Sequence, residues 1–495
     1  MQASIRLPQI NLRSLGLSWP LLVALAVCVG FLAGPTTQIL GDPDTYLHVA
    51  SGRWMLQHQR VPGVDVFSQT MAGQPWIAHE WLAQSLMALV YDLCGWTGLV
   101  LLAVSSLALT LAYLLRFLLR TMPPIYALLF AALACCALAP HLLARPHVLA
   151  WPILALWAGT LAAASEQGRA PPHWLAGLML VWANLHGSFT LGLVLGLVFA
   201  FEAVISSTPE RRWQTVKPWC AFLGLALLAA MLTPAGWRGL WFTFHLVNLK
   251  HLDMIGEWMP ASFTTFNPIE LWLVALLGLA LTGYLRLPVF RLLLVLGLLH
   301  QALLHGRYVS LFGLIVPMLI AAPFGKLYPT LSHGAPQAST LDQFFDTLAA
   351  PARRSTITVI AALVLLTGVV TAQTGRHRPA ASISPSAALD AALRSGVSGP
   401  VLNSYDFGGY LVYRGIPVFV DGRADLYGDR HLDAYLDVIA SNKAEKIQKV
   451  LADFKITWTL LPPGSATLLY LNTRPEWRKV YEDETAVVHI RQPPS

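Results

Sequence analysis

Residues 41–82 hold a dense group of ionisable side chains between apolar stretches. Asp42 and Asp44 flank a proline, and Asp44 stands where a helix N-cap would, four residues before His48. On a helix Asp44 and His48 share a face, so two carboxylates and an imidazole are within reach of one point. Such a set can take a proton from a hydroxyl group. The alternative is structural: Asp44 only caps its helix, and His48 packs or meets solvent.

A second polar group closes the same stretch. After the turn Gly73-Gln-Pro-Trp76, His79 and Glu80 stand directly before the next helical pattern. We interpret both as substrate contacts at the membrane surface. The alternative for Glu80 is a favourable interaction with the helix dipole.

Further polar side chains interrupt the apolar sequence. A guanidinium such as Arg145 or Arg307 at the end of an apolar run suits a phosphate or pyrophosphate, through bidentate donation. Polar groups within a membrane cost roughly 2–3 kcal/mol each and are usually retained for function. For Asn184 the alternative is a hydrogen bond between helices. The expected substrate- or phosphate-binding residues are His79, Glu80, Arg145, His147, Asn184, His186, Glu257 and Arg307.

The sequence shows none of the common cofactor or metal motifs. Aspartate, glutamate and histidine of the first loop are competent ligands, but their spacing matches no compact zinc or calcium signature. We therefore predict no metal site, and dependence on a divalent cation stays open. A P-loop, a G-x-S-x-G nucleophile motif and a dinucleotide-binding glycine fingerprint are also missing from the sequence.

The composition indicates that a membrane surrounds the elements that position these residues. Of 495 residues, 55% are hydrophobic and 12% are charged, about half the charged fraction of a soluble domain. This predicts a polytopic α-helical membrane protein. The basic excess does not indicate nucleic acid, because the arginines lie at the ends of apolar runs, where they can set orientation. Five cysteines, none in the polar C-terminal region, imply no disulfide framework.

The apolar runs also predict a topology. Spanning needs roughly 20 apolar residues, and the helical pattern 82–94 is too short and ends in the turn Gly95-Trp-Thr-Gly98. If it is an interfacial helix and the N-terminus is cytoplasmic, the basic loops lie inside and the polar motifs outside, as the positive-inside rule requires. The eleven predicted spans are 19–40, 97–118, 124–141, 148–164, 173–187, 188–206, 217–235, 269–286, 289–304, 308–323 and 355–373.

This topology divides the chain into a membrane domain and a small outer domain. After the last span, short β-like runs alternate with helical ones, which predicts an extracytoplasmic α/β domain. The turn Asp421-Gly-Arg423 in that domain is interpreted as a salt-bridged structural turn. The predicted parts are a transmembrane domain 1–373, with first outer loop 41–96 and cytoplasmic loop 324–354, a linker 374–399 and the α/β domain 400–495.

The first loop resembles a known family. Asp42-Pro-Asp44-Thr-Tyr46, then Pro62, the turn Gly73-Gln-Pro-Trp76 and His79-Glu80-Trp81-Leu-Ala-Gln84 are similar in layout to the first extracytoplasmic loop of GT-C glycosyltransferases. The bacterial aminoarabinose transferases and the protein O-mannosyltransferases are such enzymes. The whole chain more closely resembles a group of uncharacterised bacterial membrane proteins of GT-C-like character. The motifs shared with that group are Arg145-Pro-His147, Asn184-Leu-His186-Gly187, Glu257-Trp258 and Asp421-Gly-Arg423.

The resemblance implies a multi-pass enzyme of the bacterial inner membrane, with a periplasmic C-terminal domain. It would move a sugar from a polyprenyl-phosphate donor in the membrane lipid to an unknown extracytoplasmic acceptor, a glycan, lipid or protein. Asp44 or Asp42, with His48 beside them, would act as base or stabilise developing charge, while an arginine holds the departing phosphate. Two alternatives remain open: a transporter or flippase of a lipid-linked sugar, and a non-catalytic membrane assembly protein.

Overall fold

The computed structural model describes residues 15–34, 37–247, 250, 256–327, 340–439 and 443–492. Its helices are α1 Trp19–Ala33, α2 Asp44–His58, α3 Trp81–Leu118, α4 Pro124–Leu138, α5 Pro146–Glu166, α6 Trp174–Leu185, α7 Phe189–Ile205, α8 Arg212–Met231, α9 Trp237–Val247, α10 Pro268–Leu281, α11 Val289–Leu304, α12 Tyr308–Leu327, α13 Thr340–Thr347, α14 Arg354–Gln373, α15 Ser386–Arg394, α16 Tyr405–Tyr413, α17 Ala424–Ile439, α18 Ala444–Asp453 and α19 Ala466–Asn472. The strands are β1 Val401–Asn403, β2 Trp458–Leu461, β3 Trp477–Glu482 and β4 Val487–Arg491.

The apolar helices support a multi-pass membrane protein. By length and composition, six described helices could cross a membrane: α3, α4 with its 3₁₀ extension to His141, α5, α8, α12 and α14. Five shorter apolar helices, α1, α6, α7, α10 and α11, coincide in sequence with the other predicted spans. The count of eleven crossings, and which side each loop faces, stay predictions.

Helix α3 contains both the predicted interfacial helix 82–94 and the predicted span 97–118 that follows it. The structure has a helical stretch of 38 residues here, which consists of two helices that meet at a kink. Gly95 interrupts it with φ 58° and ψ −150°, a conformation that glycine reaches without strain. The helix therefore breaks where the sequence predicts a turn, and which of its two parts crosses the membrane stays a prediction.

At one end of the bundle, a buried ion cluster joins three helices. Arg291, near the start of α11, donates to Glu202 of α7 at 2.9 Å and to Glu166 at the end of α5 at 2.8 Å. The Arg291 side chain is only 4% exposed. Because α5 and α7 begin at the polar motifs and α11 ends at them, this cluster lies at the opposite end of the bundle from those motifs.

The C-terminal residues form a four-stranded mixed sheet in the order β1-β2-β4-β3, in which β1 and β2 are parallel. The β-like run at Val418 is an extended segment that makes a single bridge to Ser68 rather than a strand. Helix α15 lies within the stretch predicted as a linker and buries Ala388, Leu389 and Ala392 in the core of the sheet. Of the predicted cytoplasmic loop 324–354, residues 328–339 lie outside the described residues.

The first loop packs directly against this sheet. The Gln69 side chain pairs with the edge strand β1, donating to the carbonyl of Val401 at 2.7 Å and accepting from its N–H at 3.2 Å. Thr70 donates to the carbonyl of Phe419 at 2.8 Å. Helix α16 packs on α2, where a Cβ on Gly409 would overlap the carbonyl of Pro43. These bonds cover a sheet edge that would otherwise expose unpaired backbone groups.

Candidate active site

Most of the polar motifs identified in the sequence precede a helix, whereas Asn184 lies within α6 and Glu257 lies in a 3₁₀ helix, Gly256–Trp258. Asp42 stands before α2, His79 and Glu80 before α3, Arg145 before α5, His186 before α7 and Arg307 before α12. Side chains at these helix starts contact one another, so several N-termini meet in one region. Unpaired N–H groups and the helix dipole give such ends a positive potential that favours anions.

Asp42, rather than Asp44, provides the polar contact at the start of α2. The Asp42 carboxylate accepts a hydrogen bond from the backbone N–H of Asp44 at 2.8 Å. Pro43 is the N-cap and Asp44 is the first residue of the helix, so the prediction that Asp44 caps α2 is wrong. Thr45 donates to the carbonyl of Ala144, which ties α2 to the segment before Arg145. The Asp44 side chain is thus left to face the site.

Arg145 is the centre of the first cluster. Its Nη1 lies 3.2 Å from Asp42 and 3.2 Å from Glu257, and its Nη2 lies 3.1 Å from Asp44. Arg307 approaches Glu257 at 3.8 Å, and its guanidinium lies 4.3 Å from the ring centroid of Trp258. Three carboxylates thus share two guanidinium groups. When all three are ionised, the carboxylates carry one more negative charge than the two guanidinium groups neutralise.

Glu80 is the centre of a second cluster, made of imidazoles. Its carboxylate lies 3.6 Å from His186, 3.7 Å from His79 and 3.9 Å from His48. The backbone N–H of Ser188 donates to His186 Nδ1 at 3.1 Å, so the proton of the neutral ring is on Nε2, which faces Glu80. Gln84 contacts His48 Nδ1 at 3.2 Å, and His48 Nε2 has no hydrogen-bond partner among the described residues.

Burial and the local charges shift several pKa values. Burial raises the pKa of Asp44 to about 8, with Asp42 and Glu257 adding to the rise and Arg145 opposing it. Burial also acts to raise the pKa of Glu257, but the two arginines lower it to about 2. For Glu80, burial raises the pKa against the effect of His79. The pKa of His48 lies well below its usual value, because of burial and then Arg145.

The structure places the predicted residues in two adjoining clusters. His147 lies between them: its Nε2 donates to the carbonyl of His141 at 3.0 Å, and its ring lies 6.1 Å from that of His186. Asn184 lies at the margin, where it accepts from the indole of Trp81 and donates to the carbonyls of Leu180 and Leu232. These bonds agree with the alternative interpretation, in which Asn184 forms hydrogen bonds between helices.

The C-terminal domain reaches the same site, which the sequence did not predict. Gly422 lies directly against the carboxylate of Asp44. Tyr405 and Asp425 lie within electrostatic range of the clusters, since Asp44 acts on the pKa of Tyr405 and His79 on that of Asp425. The one signal in the sequence was the Asp421-Gly-Arg423 motif. Its interpretation as a salt-bridged turn does not indicate which part of the membrane domain the turn contacts.

An apolar groove opens beside Asn184, at the side of the imidazole cluster. It has a volume of about 570 Å³ and lies between α3, α6 and the end of α8. Its lining includes Trp81, Leu180, Val181, Leu232 and Pro234. Within the described ranges, no group of three or more histidine, cysteine, aspartate or glutamate residues has the arrangement of a metal site.

Comparisons of sequence find no match: no protein-family model and no curated protein resembles the chain. Solved structures do match. AglB, the oligosaccharyltransferase of the archaeon Archaeoglobus fulgidus, in complex with an inhibitory peptide and a dolichol-phosphate, gives a TM-score of 0.55 at 10% identity, covering 96% of this chain and 74% of that one. ArnT from Cupriavidus metallidurans in the apo state gives 0.52 at 13% identity, covering 96% and 98%.

The mycobacterial arabinofuranosyltransferase AftD also matches, with a TM-score of 0.51 at 12% identity, covering 97% of this chain and 40% of that one. At these identities the likeness is one of fold. The fold of the chain is therefore similar to that of these three proteins.

Proposed function

We propose that this protein is a membrane glycosyltransferase that moves a sugar from a polyprenyl-phosphate donor to an acceptor outside the cytoplasm. The observation that carries the proposal is the contact of Arg145 with Asp42, Asp44 and Glu257 in a GT-C-like fold. Transfer of a glycosyl group needs a base for the acceptor hydroxyl and a cation for the departing phosphate. A carboxylate cluster around an arginine supplies both.

In this mechanism Asp44 takes the proton of the acceptor hydroxyl, whose oxygen forms a bond to the anomeric carbon of the sugar. The bond between that carbon and the phosphate oxygen breaks, and its electron pair leaves with the phosphate. Arg145 and Arg307 bind the anion that forms. A pKa of about 8 for Asp44 lies close to neutral pH, where a general base is most effective.

Two features support a lipid-linked phosphate donor. Helices α5 and α12 direct their N-termini to the two arginines, which adds to the potential that favours a phosphate. The apolar groove at Leu180, Val181 and Leu232 is open and lined by membrane helices, as an isoprenoid chain requires. The bound dolichol-phosphate in the AglB structure is a ligand of the same chemical class.

The test is whether purified protein transfers a sugar or only binds the donor. The protein in nanodiscs is incubated with undecaprenyl-phosphate-linked sugars and a cell-envelope extract as acceptor, and release of free undecaprenyl phosphate is measured. Release above that of an Asp44→Asn variant supports the proposal. Donor binding without release from any sugar tested would instead favour a transporter or an assembly protein.

A further inference from the structure

The turn Asp421-Gly422-Arg423 is attached to the first loop by a buried ion-pair network. Arg423 contacts Asp65 at 2.6 Å and Asp421 at 2.6 Å, and its side chain is 6% exposed. Its guanidinium lies 5.3 Å from the ring centroid of Phe67 and 4.7 Å from that of Trp76. Such a network positions the groups that it joins, because each buried charge depends on the geometry of its partner.

The two carboxylates of this network have their other oxygen contacts filled. Asp65 accepts from the backbone N–H of Phe67 and from both the N–H and the hydroxyl of Ser68. Asp421 accepts from the backbone N–H of Arg423 and from the hydroxyl of Tyr427 at 3.1 Å. The turn is therefore held in one conformation relative to the first loop.

Gly422 carries that fixed geometry to the candidate base. A Cβ at position 422 would overlap the Asp44 carboxylate, so only glycine fits at this distance. The Asp44 side chain consequently lies between the backbone of Gly422 and the guanidinium of Arg145. A second close contact fixes the position of the turn: a Cβ on Gly408 of α16 would overlap the backbone of Val420 and Asp421.

We propose that Gly422 and Arg423 are positioning residues of the active site, through which the C-terminal domain holds the Asp44 carboxylate against Arg145 and shields that side of it from water. The proposal rests on the proposed function only in calling Asp44 a base. The charged and titratable groups around Asp44 are Arg145, Asp42, Glu257, Asp421 and Tyr405, so four segments besides its own helix determine its environment.

The experiment measures the protonation of Asp44 without requiring transfer. Dicyclohexylcarbodiimide modifies protonated carboxyl groups in apolar surroundings, and mass spectrometry of peptides resolves Asp44 from other sites. Labelling of the protein in nanodiscs is followed from pH 4 to pH 10. The midpoint in the wild type is expected near pH 8, since the pKa of Asp44 is raised to about 8.

Gly422→Ala is expected to lower this midpoint by at least one pH unit, because the added methyl group separates the turn from Asp44 and admits water. Gly63→Ala is the control: Gly63 lies in the first loop, an added Cβ there would meet open space, and the variant should keep the wild-type midpoint. Thermal unfolding is recorded for each variant. If Gly422→Ala does not fold, Arg423→Lys, which keeps the charge but loses the forked contacts, is judged by the same shift.

An unchanged midpoint in a folded Gly422→Ala or Arg423→Lys protein would overturn the proposal, even if the variant unfolds at a lower temperature. A wild-type midpoint near pH 4 would overturn it as well. Failure of sugar transfer in every assay would refute the proposed function but leave this labelling result unaffected. The two hypotheses are thus separable.

Discussion

The carboxylate of Asp44 lies 3.1 Å from the guanidinium of Arg145, yet the pKa of Asp44 is raised to about 8. An arginine alone would lower the pKa of a neighbouring carboxyl. Here burial outweighs it, and Asp42 and Glu257 compete for the same cation. Only the ionised form of Asp44 can accept the proton of the acceptor hydroxyl, so transfer should increase as the pH rises towards 8.

Replacing Asp44 with asparagine should abolish transfer without loss of the fold. The amide keeps the shape of the side chain but cannot accept a proton, and general-base catalysis typically contributes about 10²–10⁴-fold. The measurement is the initial rate of undecaprenyl phosphate release, with size-exclusion profiles for both proteins. Asp92→Asn, an exposed aspartate paired with Arg53, is the control. Equal rates for Asp44→Asn and wild type would rule out Asp44 as base.

Arg307→Ala should weaken donor binding while the protein stays folded. A hydrogen bond to a charged group is worth about 1.5–3 kcal/mol, so KM for the donor should rise about 10- to 100-fold. Arg307→Lys, which keeps the charge, should recover part of the loss. A donor titration measures KM. If Arg307→Ala and Arg145→Ala both keep the wild-type KM, the arginines do not bind the phosphate.

The pH dependence of stability should identify Asp44 independently of activity. Its folded pKa of about 8 exceeds the usual value of 3.8, so the unfolded chain releases this proton first as pH rises. The contribution of Asp44 to stability is therefore complete below about pH 4 and is lost progressively up to about pH 8.

Asp44→Asn removes this term, and its unfolding temperature should improve relative to wild type between pH 5 and pH 8. Thermal unfolding in detergent at several pH values measures the difference. The same curves for Asp92→Asn should run parallel to those of wild type. A constant difference between Asp44→Asn and wild type across this range would show that Asp44 is ionised in the folded protein.

Filling the apolar groove should discriminate between donors by chain length. Val181 lines the groove, so Val181→Trp should obstruct an isoprenoid chain and raise KM for an undecaprenyl donor about tenfold, a loss typical of a displaced apolar contact. A short-chain donor should be used equally well by both proteins. Leu197→Trp, at another exposed position, is the control. If Val181→Trp keeps the wild-type KM for the undecaprenyl donor, the isoprenoid chain does not bind in this groove.

The ion cluster at the far end of the bundle should support the fold rather than the reaction. Arg291→Met leaves Glu166 and Glu202 without their cation, and removing one partner of a buried pair costs about 3–5 kcal/mol. The unfolding temperature should fall markedly, while the folded fraction keeps the wild-type KM. Arg286→Met, at an exposed position nearby, should have little effect. Wild-type stability of Arg291→Met would contradict the importance of the cluster.

Much of the site could be predicted because its residues interrupt an apolar sequence. Arg145, Glu257 and Arg307 stand out locally, and the structure brings them together. Less could be predicted of their partners. The Asn184 side chain forms hydrogen bonds to neighbouring helices, and a single sequence does not distinguish a residue kept for such contacts from one kept for substrate binding.

By itself, the sequence determined the membrane character, the position of the apolar helices and the break at Gly95, because hydrophobicity and glycine act over neighbouring residues. Only the tertiary structure decided that Asp44 faces Arg145 and that Gly422 closes the other side of its carboxylate. Those contacts join residues far apart in the chain, and they depend on how helices and sheet pack rather than on any local pattern.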